Sequence, residues 1–274
     1  MLAMNRKRIA AVSGALAVCA AGGALCAWLR TPLPWMLGPL AAMAIFQFGG
    51  ASLEAPPYGR EAGQLAIGLA LGLYFTPAVA LEVVAHAATL LSAAVGVSVI
   101  GMVASRVLER LARVDHATAF FSSAIGGAAE MANLAERHGA LVDRVALAHS
   151  LRLLVVVTAV PVAITLLGQT GTDDYRPIAV AFDPARLALL AAAAIVAGFA
   201  WRRSGLPNAF MMGPLVLTIA LTASGFVFSS IPPWVTNTAQ VLLACSLGSR
   251  FRHSFLREAP RFMAAVLASV ALVL

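Results

Sequence analysis

The chain has 274 residues, 61% of them hydrophobic and only 11% charged, with a formal net charge of +7. A soluble domain of this length has room for a large core but cannot bury apolar side chains in that proportion, so a water-soluble globular protein is excluded. The positive charge is no nucleic-acid footprint either: the arginines come in short clusters between apolar runs, with no polar domain carrying interleaved aromatics.

Taken in chain order, the first apolar helix is expected at about 9–29, behind the basic opening Arg6-Lys7-Arg8. That opening also has the outline of a signal peptide, but its apolar run is long for one. A second segment, 33–50, carries Gly38-Pro39 where an uninterrupted span should run. The polar loop "EAPPYGREA" leads to a helix at about 61–74 that ends at "FTP", and Pro77 opens the approach to a span at 87–105. The basic turn "RVLERLARVDH" follows, then "ATAFFSSAIGGAAEMANLAERHG", an apolar stretch centred on two glycines. A long helix is expected at 141–168, then the acidic loop "GQTGTDDYRP", spans near 184–201, 207–226 and 234–249, and a last apolar run from about 261.

The four arginine clusters fix an orientation. They are Arg6/Arg8, Arg106/Arg110/Arg113, Arg202/Arg203 and Arg250/Arg252/Arg257/Arg261. Placed in the cytoplasm together with the N-terminus, they put the loop around Asp173-Asp174 outside. Only one crossing then fits between Arg113 and Gln169, so the Gly-Gly segment at 117–138 is expected to enter and return, or to form half-helices.

The chain also repeats itself. Gly38-Pro39-Leu40 matches Gly213-Pro214-Leu215, and with one residue inserted Pro56-Pro57-Tyr58 matches Pro232-Pro233-Trp234, Gln64 matches Gln240 and Leu71-Gly72 matches Leu247-Gly248. The first unit makes an odd number of crossings, so the second starts from the opposite face. Inverted repeats with helix breaks in corresponding places are the sequence pattern of secondary transporters. The expected architecture is an all-α transmembrane bundle: a first repeat over 1–168, an external loop over 169–183 and a second repeat over 184–274. Gly38, Pro39, Pro77, Gly213 and Pro214 are the expected helix breaks.

Candidate chemistry concentrates in the glycine-centred segment. Glu130 is a carboxylate in apolar surroundings, and such a group costs about 3 kcal/mol or more at membrane depth unless it faces a cavity or partner. A half-helix starting at Gly126-Gly127 would offer free N–H groups to an anion, and Glu130 could take a coupled proton or cation. A helix cap at the membrane surface is the plainer alternative. Ser122, Ser123 and Asn133 are candidate lining groups. His149 and Arg152 share a face of the long helix, and a buried Arg152 would want a carboxylate, with Glu130 the nearest in sequence. Gln64 and Gln240 read as ligand contacts or as helix–helix hydrogen bonds. Cys19, Cys26 and Cys245 read as small apolar residues. The scattered histidines have no metal-ligand spacing, so neither an enzyme nor a cofactor is expected.

The segments "LPWMLGPL", "GLALGLYFTP" and "DHATAFFSSAIGGAAEMANLAERHGA…VALAHSLRLLVVV" resemble the AbrB family of duplicated bacterial integral membrane proteins, distinct from the small DNA-binding regulator of that name. The GGxxEM segment is the most specific part; Ile125 stands where the family pattern has proline. Members carry the labels of gene-expression regulator and ammonia monooxygenase, and the second label would need a metal site that this sequence lacks. The resemblance implies a second GGxxEM motif in the second half, so a C-terminally truncated second repeat is expected.

The reading is an inner-membrane, transporter-like protein that moves a small solute or ion through a site between the repeats. The alternative is a membrane-embedded regulator or scaffold acting through a partner. The expected partners are the lipid bilayer and an unidentified small solute or ion, without nucleic acid; a homo-oligomer is compatible with the composition.

Overall fold

The computed structural model describes residues 6–126, 128–168, 180–251 and 260–273, and every regular element among them is a helix. The four longest apolar runs of the sequence become the four helices long and apolar enough to cross a membrane: α1 (Arg6–Trp28), α5 (Ala87–Ala112), α8 (Val142–Leu166) and α9 (Pro184–Arg203). Between α1 and α5 lie α2 (Pro34–Phe48), α3 (Gly59–Gly72) and α4 (Pro77–Ala85). Thr76 caps α4 by accepting from the Val79 N–H, and α3 and α4 meet at 87°, a bent pair that also has the length and composition of one span. The break expected at Pro77 is therefore present: its fixed φ suits the first helical position and starts a new axis.

After α5 come two short helices, α6 (His116–Ser123) and α7 (Ala128–Arg137), neither long enough to cross. They flank the glycine pair, of which Gly126 is described and Gly127 is not. Following α9 are α10 (Ala209–Ala223), α11 (Pro233–Gly248) and α12 (Pro260–Val273). The loop expected at 169–183 lies largely outside the described residues.

At Gly38-Pro39 and Gly213-Pro214 the structure corrects the sequence reading. Both pairs sit inside continuous helices, α2 and α10, and break neither. A proline ring removes one N–H···O bond and collides with the Cβ of the residue before it. Glycine in that place has no Cβ, so the helix runs on with a single bond missing. The glycine also opens a helix crossing. A Cβ on Gly38 would run into the backbone of Gly22 in α1, and one on Gly213 would run into the backbone of Ala197 and Gly198 in α9. Both pairs therefore mark close backbone contacts between neighbouring helices.

Packing follows the sequence repeat. α1 lies on α2 and α9 on α10; α2 packs on α11 and α10 on α3; α1 touches α11 and α9 touches α3. Gly72 of α3 abuts the Thr218 side chain of α10, while Gly248 of α11 abuts the Met43 side chain of α2. Backbone conformation repeats as well. Positive φ occurs at Arg30 and Gly205, at Leu33 and Asn208, and at Gly50 and Gly225, each pair at the same separation along the chain.

Beside this group α5, α6, α7, α8 and α12 form a second cluster, cored by Leu108, Leu147, Leu151, Phe262 and Val266. Leu154 and Val157 of α8 pack on Leu40, Ala244 and Phe251, which ties the two clusters together. The stretch from Leu81 to Ile100 is exposed all round although it is mostly apolar, as suits helix faces bathed in lipid.

Candidate binding site

α6 begins at a firm cap. The Asp115 carboxylate accepts from the Thr118 N–H at 2.8 Å and from the Thr118 hydroxyl at 2.6 Å, and that hydroxyl accepts from the Leu141 N–H at 2.9 Å. The start of α6 is thus pinned to the start of α8. Partial burial works against ionisation of Asp115, but the bonds from the Thr118 hydroxyl and from backbone N–H groups prevail and hold the carboxyl below its usual range.

The other end of α6 is held by α8. Arg152 Nη1 donates to the Ser123 carbonyl at 3.0 Å, and Nη2 donates to the Ala124 carbonyl at 3.1 Å and to His149 Nδ1 at 2.9 Å. An arginine has no acceptor, so Nδ1 is the unprotonated nitrogen. His149 Nε2–H therefore donates to the Phe121 carbonyl at 2.8 Å, and the imidazole is neutral. The last turn of a helix leaves carbonyls without intrahelical partners and carries partial negative charge. Here a guanidinium and an imidazole meet three of those carbonyls, so α6 is a short helix with its C-terminal end clamped. The partners that the described residues give Arg152 are these carbonyls and His149; the side chain of Glu130, the carboxylate expected beside it, lies outside the described residues. Among the described residues no carboxylate lies at ion-pair distance from Arg152.

Next to the clamp is a cavity of about 390 Å³ between α5, α6, α8 and α12. Arg152, Ser122, Ser123 and Ser269 line its polar side together with Gly126, and Val97, Leu108, Val266 and Val270 are among its apolar walls. Ser122 and Ser123 are 3% and 8% exposed, and neither hydroxyl has a hydrogen-bond partner among the described residues. Buried hydroxyls are normally paired, so two orphans on one void mark a place built for something else. Ser269 is satisfied by the Val266 carbonyl.

Of the residues expected in the site, the structure gathers Ser123, Gly126, His149 and Arg152. Gly127 and the side chains of Glu130 and Asn133 lie outside the described residues. Gln64 is elsewhere: its Nε2 and Arg60 Nη2 approach Asn208 Oδ1 at 3.4 and 3.5 Å, in an open groove of about 780 Å³ between α3, α9 and α10. Gln240 is half-buried on α11 and does not line the cavity. Neither Gly38-Pro39 nor Gly213-Pro214 lines it either, so the two pairs do not converge on Gly126. The reason is the crossing role described above, which directs each pair to its neighbouring helix. Ser122, also a candidate lining group from the sequence, joins them on the cavity, whereas Ser269 was not singled out, because a lone serine in an apolar helix gives no pattern of its own. Among the described residues no three His, Cys, Asp or Glu side chains gather into a metal-binding group.

Comparison with known proteins adds the family. The family described as "Transition state regulatory protein AbrB" matches residues 35–274. The chain belongs to the AbrB family. Its AbrB relatives include the protein named "Putative regulator AbrB" of Escherichia coli (strain K12), 24% identical over 88% of this chain and 70% of that protein. Another is "Uncharacterized protein YhjN" of Bacillus subtilis (strain 168), 23% identical over 90% of this chain and 71% of that one. No solved structure gives a significant match.

Proposed function

We propose that this AbrB-family protein is a multi-pass protein of the bacterial inner membrane that moves a small solute or ion without transforming it, and that the cavity beside Arg152 is where the solute rests. The reading is carried by one observation: a guanidinium and two unpartnered hydroxyls line the same void among apolar helices. A cation at membrane depth costs about 3 kcal/mol or more and is retained where it serves a pathway. Clamped short helices beside such a void fit a rule of membrane proteins, that irregular backbone is tolerated only where protein or a water-filled cavity covers it.

An inverted-topology duplication fits the same picture. The contacts among α1, α2, α3, α9, α10 and α11 keep their pattern when the two halves are exchanged. The proposed orientation keeps the basic clusters in the cytoplasm, and Arg261 Nε donating to the Leu111 carbonyl at 2.9 Å, beside Arg110 and Arg113, is in keeping with two of those clusters sharing one end of the bundle. In this arrangement α6 and α7 form the re-entrant segment, and Glu130 belongs to its second arm.

Uptake into proteoliposomes containing the full chain tests the proposal. Gradient-driven accumulation from a mixture of labelled small metabolites, abolished by Arg152→Gln, is the expected result; no solute moved under any imposed gradient would count against transport. The name of the Escherichia coli relative favours a second reading, a membrane-embedded regulator acting through a partner. A stoichiometric partner recovered from membranes, with no transport detectable, would put that reading first.

A further inference from the structure

We infer that the cavity between α5, α6, α8 and α12 is a binding site for a small organic monocarboxylate, with its charged end at Arg152 and the two serines and its aliphatic end against the valines. The inference rests on the proposed function only in making this ligand the cargo; the binding itself is a separate matter.

The argument starts from a count of donors. Three of the five guanidinium N–H groups of Arg152 are spent on Ser123 O, Ala124 O and His149 Nδ1, which leaves two without a partner among the described residues. The hydroxyls of Ser122 and Ser123 add two more donors, both unpartnered among the described residues. Among the described residues, those lining the cavity include no Asp or Glu to neutralise the guanidinium. A site with one fixed positive charge and surplus donors rejects cations and receives an acceptor-rich anion.

The remainder of the lining sets the anion's shape. Val97, Leu108, Val156, Val266 and Val270 make most of the wall apolar. An inorganic oxyanion would leave that wall against empty space or ordered water, and apolar cavities hold water poorly. A carboxylate with a short alkyl tail satisfies both ends. Each buried methylene adds about 0.8 kcal/mol, or about fourfold in affinity.

Equilibrium dialysis of the full chain in lipid nanodiscs against radiolabelled butyrate, acetate and inorganic phosphate tests the site, with empty nanodiscs subtracted. Butyrate is expected to bind saturably, about tenfold tighter than acetate, with phosphate weaker than either. Arg152→Gln and the double variant Ser122→Ala/Ser123→Ala are each expected to weaken butyrate about tenfold or more, whereas Arg60→Gln in the other groove leaves it unchanged. Should Arg152→Gln fail to fold, the serine variant decides, because its hydroxyls hold nothing else in place among the described residues. No saturable butyrate binding, binding unmoved by the serine variant, or phosphate as tight as butyrate would overturn the inference. Saturable binding without uptake would leave the site standing and remove transport; uptake of a different solute without butyrate binding would do the reverse.

Discussion

Arg152 combines two tasks that only its side chain can perform together. A planar fork with several fixed donors holds two carbonyls and an imidazole at once, and a lysine ammonium is a point charge that cannot reproduce that spread. Arg152→Lys is therefore expected to keep the charge at the cavity while releasing the end of α6, seen as faster amide hydrogen exchange over Phe120–Ala124. Unchanged exchange there would mean that α6 is held by packing alone. His149 is 1% exposed, and replacing it with Phe strands the Phe121 carbonyl and one guanidinium N–H. Each stranded group costs about 1–3 kcal/mol, so a clear fall in melting temperature in detergent is expected. Ser122→Ala and Ser123→Ala remove hydroxyls that have no described partner, and the same measurement should find them close to neutral. At the other end of α6, Asp115→Ala removes the cap and should lower stability by about 1 kcal/mol. Because the folded Asp115 carboxyl sits below its unfolded value, its contribution is present above about pH 3.9 and is lost as the pH falls through the folded value. The stability gap between wild type and Asp115→Ala should therefore close on acidification, and a gap that widened would refute the sign.

At the scale of elements, the informative contrast is within the Gly-Pro pairs. If the proline were the functional device, Pro39→Ala would do the damage; if the helix crossing is, Gly38→Ala will. A methyl on Gly38 meets backbone of Gly22, which has no rotamer to yield, so overpacking of about 1–3 kcal/mol is expected, with Gly213→Ala behaving alike. Pro39→Ala restores a helix bond and should be far milder. Equal losses from the two substitutions would return the pairs to the role of breaks. This contrast also shows where the sequence was readable. Length and apolarity located α1, α5, α8 and α9, because a span is a property of composition along one segment. Pro77 was readable as a break because a new helix can start on a proline. The helical path through Pro39 and Pro214 was not, since it depends on a neighbouring helix approaching the glycine, and no local signal announces a neighbour. The clamp on α6 is a middle case. Spacing put His149 and Arg152 on one face, while their partners proved to be backbone carbonyls, groups that every residue carries and no sequence pattern can single out.

For the whole molecule the question is whether the two halves point in opposite directions. The matched positive-φ residues, the reciprocal contacts of Gly72 with Thr218 and of Gly248 with Met43, and the mirrored helix pairings all relate one half to the other. None of these depends on a bilayer, so membrane sidedness needs its own test. Tyr58 and Trp234 are counterparts in the repeat, each at or beside the start of a matched helix, and they are 82% and 67% exposed. The Asn208 side chain, close behind Arg202-Arg203, is approached by Arg60 and Gln64, which places Tyr58 at the end of the bundle shared with that basic pair. Basic flanks stay in the cytoplasm. With Cys19, Cys26 and Cys245 replaced, a cysteine at Tyr58 should resist a membrane-impermeant maleimide in intact cells and react after permeabilisation, while one at Trp234 should react in intact cells. Labelling of both from the same side would make the duplication parallel. The proposed inverted arrangement would then be lost, and with it the support that the duplication lends to the transport proposal.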